Sequence, residues 1–143
     1  MRALLDVNVL IALLDAAHVG HGTATRWLAE NIDHGWASCP ITQNGCIRVM
    51  SQPAYPGALT AAAVAERLGE ATRDPSHGFW ADDVSLLEPA TIDWQRVLGH
   101  RQVTDSYLLA LAVRHHGRFV TFDARIDVAA VAGAKARHLA VLA

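Results

Sequence analysis

Asp6, Asp105 and Asp123 are the residues of this 143-residue chain whose type and placement could do chemistry together. Two of them end short apolar runs, Arg2 to Asp6 and Phe119 to Asp123, that read as buried parallel strands. Ligands of an open parallel sheet bind beyond the C-terminal ends of its strands, so these acids share a crevice if their strands are neighbours. Asp105 stands at the first turn of a helix expected from Asp105 to His116, with Thr104 as its cap. A helix of about twelve residues spans roughly 18 Å, and running antiparallel to the strand that follows it brings its start back to the same edge. Three acids from three remote segments thus converge. Three mutually repelling carboxylates call for a cation, and an all-oxygen donor set suits Mg²⁺ or Mn²⁺. Such an ion generates hydroxide from bound water and stabilises charge on a phosphodiester, so the expected chemistry is metal-assisted phosphodiester hydrolysis. The plainer reading is that Asp6 and Asp105 merely cap helices. Asp15, Asp33, Asp82, Asp83 and Asp93 read as solvated or capping acids.

The elements that must position these acids follow from the pattern of apolar runs and breaks. A helix is expected from Asn8 to Asp15 and a second from His21 to Asp33, with Trp27, Leu28 and Ile32 on its apolar side. Gly35 to Ser38 is a short strand, Pro40 opens a helix from Ile41 to Ser51, and Gln52 to Gly57 is a turn cluster. Thr60 caps an Ala-rich helix to about Thr72. Phe79-Trp80 begins a third strand, Leu86-Leu87 is a connector, and Thr91 caps a short helix to about Leu98. Gly117 stops the helix that carries Asp105, and a last strand covers His138 to Leu142. Strands alternating with helices imply a parallel α/β sheet covered on both faces. Without a linker, repeat or low-complexity tract, residues 1–143 read as one domain. Trp36, Trp80 and Trp94 read as core or interface anchors.

Composition bounds the rest. Hydrophobic residues make up 52% of the chain and charged ones 18%, which excludes disorder and supplies a core. No apolar run is long enough to span a bilayer, and Asp6 interrupts the first apolar stretch, so neither a membrane span nor a signal peptide is expected. Two cysteines, Cys39 and Cys46, cannot build a disulfide framework, and a cytoplasmic protein is the expectation. Twelve Lys+Arg against 14 Asp+Glu gives a net charge of −2, which argues against a basic mat for nucleic acid. Setting aside the three clustered acids leaves 11 against 12, a remainder of +1 carried almost entirely by arginines. An RNA substrate is therefore compatible with the balance, whereas tight, metal-free binding by charge alone is not. His18 and His21 have metal-like spacing but sit in a polar turn, without the cysteine or HExxH pattern of a zinc site.

Four blocks, in order along the chain, resemble the motifs of PIN-domain ribonucleases: Leu4 to Leu10, Ile41 to Val49, Val103 to Ala112, and Phe119 to Asp123. The similarity is closest to the VapC-like toxins of VapBC toxin–antitoxin modules and spans essentially the whole chain. The resemblance implies a three-layer α/β/α fold around a parallel sheet of about five strands. It also implies a toxin endoribonuclease that uses Mg²⁺ or Mn²⁺, cuts structured RNA such as tRNA or ribosomal RNA, often dimerises, and is held inactive by a VapB-like antitoxin. Asp6 and Asp105 match the family's two most dependable metal-site acids, Asp123 the acid after the fourth strand, and Asn8 the polar partner two residues beyond the first acid. Many relatives carry a glutamate where this chain has Gln43-Asn44-Gly45, and no acid occurs between Asp33 and Glu66. Asn44 is thus a site residue that can hydrogen-bond water or phosphate but cannot carry charge.

Arg48 either reaches the RNA backbone or orients a carboxylate, or is a solvated helix arginine, while Arg101 and Arg125 flank the crevice mouth in positions suited to phosphate. The Gln52–Gly57 turn and its flanking helices are expected to offer an apolar surface to a partner helix. Two rivals remain. A phosphotransfer domain of the haloacid-dehalogenase or receiver type also has an aspartate after its first strand, but the former needs a second acid where this chain has Asn8. A non-catalytic PIN-like RNA-binding or protein-interaction module is the stronger alternative, because of the missing glutamate.

Overall fold

The computed structural model describes all 143 residues. Five short strands, β1 (Ala3–Leu5), β2 (Trp36–Ser38), β3 (His77–Phe79), β4 (Arg118–Thr121) and β5 (Leu139–Val141), form one sheet in the order β3-β2-β1-β4-β5. Every pairing is parallel, with Leu4 beside Ala37 on one side and Phe119 on the other. β1 and β4 are therefore neighbours, as convergence of Asp6 and Asp123 requires.

Alternation along the strands divides the core into two layers. Ala3, Leu5 and Val120 pack against α1 (Val7–Leu14), α2 (His21–Asn31), α3 (Pro40–Met50) and α4 (Ala61–Thr72). Leu4, Ala37 and Phe119 pack instead against α5 (Arg101–Arg114), whose Tyr107 to Ala112 are all buried. The result is the expected α/β/α sandwich. Trp36 and Trp80 are core residues at 5% and 8% exposure, whereas Trp94, at 43%, is not.

Helices α1, α3 and α4 follow the sequence pattern closely. Asp6 and Thr60 cap α1 and α4, and Pro40 opens α3. Gly45 brings α3 onto α1, since a Cβ there would stand 2.6 Å from Val7 Cγ2. Four boundaries differ. β3 begins at His77 and ends before Trp80, whose N–H continues the ladder to the Ser38 carbonyl. The helix expected after Thr91 is a single 3₁₀ turn, Trp94–Arg96, capped by Asp93 and not by Thr91. α2 stops at Asn31 and is finished by a 3₁₀ turn, Ile32–His34. The largest change is at α5, which starts at Arg101 and not Asp105. The N–H groups of Gln102 and Val103 bond the carbonyls of Gly99 and His100, adding a turn before Asp105. Thr104 is therefore inside the helix and is not its cap.

The Gln52–Gly57 turn also departs from expectation. Tyr55 folds inward, its hydroxyl donating to Asp15 Oδ2, and with Leu59 it packs on the core. The large apolar side chains that are most exposed, Val19, Leu87 and Leu98, lie elsewhere.

Candidate active site

Asp6 follows β1 directly and lies at 7% exposure under the C-terminal edge of the sheet. One carboxylate oxygen accepts the Val7 N–H at 2.7 Å, so the capping reading is correct for this residue. The other accepts the Thr121 hydroxyl at 2.6 Å. Burial raises the Asp6 pKa, the two hydrogen bonds oppose the rise, and the Asp123 charge adds to it. Asp6 is thus both a cap and a charge held at the sheet edge.

Asp123 stands two residues beyond β4, with its own N–H bonded to Thr121 Oγ1 at 3.0 Å. Thr121 is thereby a hub, donating to one acid and fixing the backbone of another. Sequence reasoning passed over it. The signal was available, since period-two alternation puts Thr121 and Asp123 on one side of the strand. Arg125 binds Asp123 through both carboxylate oxygens, at 3.0 and 2.9 Å, and these hydrogen bonds hold the Asp123 pKa below the usual carboxylate range. Arg125 therefore sits at the crevice mouth as expected, but with its guanidinium engaged by an acid.

Asp105, half-buried in the second turn of α5, is the third member. Its pKa is pushed up to about 7, by burial first, then by the negative charges of Asp6 and Asp123, against a smaller opposing effect of Arg125. Asp105 feels both other acids and Asp6 feels Asp123, which is the electrostatic mark of convergence. No three His, Cys, Asp or Glu side chains stand together as a ready-made metal cage.

The remaining sequence candidates surround this centre. Arg101 is exposed at the first position of α5, and Asn8 is exposed in the first turn of α1. Asn44 and Arg48, one turn apart on α3, line a cavity of about 420 Å³ with Val7, Thr104 and Asp82. Asp82 is exposed, as its reading as a solvated acid expects, and in addition it lines this cavity. Its neighbour Asp83 is instead paired with His115 at 3.1 Å. A second cavity, of about 490 Å³, is lined by Gln95, Arg96, Leu98, Gln102, Arg125 and Asp127.

Residues 3–132 match the model of the PIN domain family. The chain is 55% identical over 142 residues to ribonuclease VapC44 of Mycobacterium tuberculosis, covering 99% of this chain and 100% of that one. Ribonuclease VapC39 of the same species is 46% identical over 134 residues, with 93% and 96% covered. Among solved structures, the sarcin–ricin-loop-cleaving toxin VapC20 of M. tuberculosis shares the fold at a TM-score of 0.57 and 14% identity, over 81% of this chain and 85% of that one. VapBC2 of Rickettsia felis, solved with a promoter DNA fragment, does so at a TM-score of 0.59 and 9% identity over the full length of both chains. With its parallel five-stranded sheet, its acids at the strand ends and these relatives along its whole length, the chain belongs to the PIN-domain family and, within it, to the VapC ribonuclease toxins.

Proposed function

We propose that residues 1–143 form a single-domain, metal-dependent endoribonuclease that cuts structured RNA, such as tRNA or ribosomal RNA, at the edge carrying Asp6, Asp105 and Asp123. The observation that carries the reading is the Asp105 carboxyl, pushed up to about 7 by burial and by two neighbouring acids. A cluster that strains against its own negative charge fits a hard divalent cation, and its donors are all oxygens, which suits Mg²⁺ or Mn²⁺. Asp6, Asp105 and Asp123 would hold it. When bound it would supply a hydroxide-like nucleophile and neutralise charge on the phosphodiester.

The protein's own groups do the positioning. Thr121 and the Val7 N–H fix both oxygens of Asp6, so this carboxylate is oriented before any ligand arrives. Arg125 orients Asp123 and brings positive charge to the mouth of the site. Arg101, exposed at the start of α5, and Arg48, exposed on α3, would bind backbone phosphates. Asn8 and Asn44 add neutral hydrogen-bonding capacity. With Asn44 where many relatives have a glutamate, the site works with three acids.

We also propose the partners that its toxin relatives imply: a VapB-like antitoxin that inhibits it, and a second copy in a cytoplasmic homodimer. The R. felis VapBC2 complex, of the same fold, supports the first of these. No helix is long and apolar enough to cross a membrane.

The test is incubation of the pure protein with a structured RNA, with and without Mg²⁺ or Mn²⁺, beside Asp6→Ala. Metal-dependent cuts that vanish in the variant are expected. Identical patterns from both proteins, or no cuts at any metal concentration, would overturn the reading and favour a binding module.

A further inference from the structure

The cavity walled by Asn44, Arg48, Asp82 and Thr104 abuts the acidic centre, because Val7 and Thr104 in its wall are the chain neighbours of Asp6 and Asp105. Asn44 and Arg48 share one face of α3 at i, i+4 spacing. The side chains of Asn44, Arg48 and Thr104 have no hydrogen-bonding partner within the chain. Asp82 forms no ion pair, and its neighbours are the Cys39 thiol, a weak donor, and the Tyr107 hydroxyl, neither hydrogen-bonded to it. The other polar groups nearby are committed: Asp83 to His115 and Arg114, and Asp123 to Arg125. An uncommitted carboxylate and an uncommitted guanidinium thus face one space large enough for a nucleotide base.

The two flanks of α5 differ in chemistry. Gln102 and Thr104, two positions apart on a helix, point to opposite sides of its first turn. On the Gln102 side, the cavity that holds Arg96 and Arg125 has only Asp127 as an acid, and Arg96 lies 3.5 Å from it. That side suits backbone phosphate. On the Thr104 side the carboxylate of Asp82 disfavours phosphate at its own end of the cavity and favours there a group that presents hydrogen-bond donors. Guanine alone among the RNA bases offers two adjacent N–H donors, N1–H and N2–H₂, that match both oxygens of a carboxylate.

We propose that this cavity is a base-reading subsite for an unpaired guanine next to the scissile phosphate, with Asp82 accepting from N1–H and N2–H₂, Asn44 donating to O6, and Arg48 binding the adjoining phosphate. The assignment rests on the nuclease reading above and names the specificity of that same site. Reading a Watson–Crick edge requires an unpaired base, so the substrate is a loop or single-stranded segment.

The experiment has two arms. In the first, cleavage ends in a randomised single-stranded RNA are mapped for wild type and for Asp82→Asn, which is exposed and carries no fold risk. Wild type is expected to enrich guanine at one fixed position beside the cut, and Asp82→Asn to lose about ten- to hundredfold of that preference while still cutting. A wild type indifferent to guanine, or a variant with unchanged preference, would overturn the proposal. In the second arm the amides of Asn44 and Asp82 are followed by NMR during titration with GMP, AMP, CMP and UMP. Shifts specific to GMP and absent in Asp82→Asn support the subsite even if no RNA is cut, so failure of the nuclease reading is distinguishable. No GMP-specific shift would overturn it.

Discussion

Arg125 clasps Asp123 by two parallel hydrogen bonds, Nε to Oδ1 at 3.0 Å and Nη2 to Oδ2 at 2.9 Å, and its backbone N–H adds a third at 2.9 Å. The same guanidinium lowers the Asp105 pKa from a distance. Arg125→Gln should therefore let Asp123 rise toward the ordinary carboxylate range and move Asp105 further up. Carboxyl NMR titration reads both movements, and kcat/KM on RNA should fall about tenfold or more, as expected for a lost charge-assisted contact. An Asp105 titration that stays put would show that the guanidinium does not act on the acidic centre.

Thr121 is the only side chain that donates to Asp6. Removing a donor from a buried carboxylate leaves it unsatisfied, at a cost of about 1–3 kcal/mol. Thr121→Val should lower the unfolding free energy from urea titration at pH 7 by that amount and raise the Asp6 pKa further, because the lost bond opposes the effect of burial. Thr121→Ser keeps the hydroxyl and should restore most of both. Equal stability of the valine and serine variants would remove the hydroxyl from the account.

Asp105 should cost the metal-free protein stability at neutral pH. Its folded pKa of about 7 lies above the unfolded value near 3.9. The folded state thus holds a proton that the unfolded state has released, and stability falls as pH rises from about 4 to 7. Asp105→Asn removes this penalty. In metal-free buffer at pH 7.5 the variant should be more stable by roughly 1–2 kcal/mol, a figure discounted for the partial exposure of the group. RNA cleavage by the same variant should be abolished. Thermal melts with chelator beside an activity assay test both halves, and a variant less stable than wild type would contradict the argument.

His77 gives the opposite dependence at the sheet edge. It accepts or donates a hydrogen bond at 2.8 Å with Ser38 Oγ and tilts against Trp36. Burial holds its pKa below the usual histidine value, and Arg2 adds to the effect. The unfolded chain therefore takes up protons more readily than the folded one, and stability drops as pH falls through and below about 6.5. Urea midpoints at pH 7.5 and pH 5.5 should differ, and His77→Gln should narrow the difference. An equal difference in the variant would assign it to other groups.

Much of the site was legible in the amino-acid order because parallel strands deliver whatever follows them to one edge. Asp6 and Asp123 needed only two short apolar runs to be placed together. Asp105 was placed correctly even though its helix starts four residues earlier, because either start leaves it near the N-terminal end of α5. What escaped was set by contacts between distant segments. Nothing local distinguishes Asp82 from Asp83, yet His115 and Arg114 engage one, while the other opens onto the cavity beside α3. Tyr55 had every local reason to sit in an exposed turn, and Asp15, 40 residues away, draws it inward. The engagement of Arg125 by Asp123 is likewise a matter of side-chain geometry that spacing alone does not encode.

Gly45 separates two kinds of freedom by a single residue. A Cβ at this position would strike the Val7 side chain, on the residue that follows Asp6, so any larger side chain forces Val7 or α3 to shift beside the acid-bearing turn. Asn44, beside it, faces open space and can be exchanged without moving a helix. A lineage built on this scaffold can therefore revise what its surface recognises while the distance between α1 and α3 stays locked, acquiring new targets without rebuilding the cutting centre.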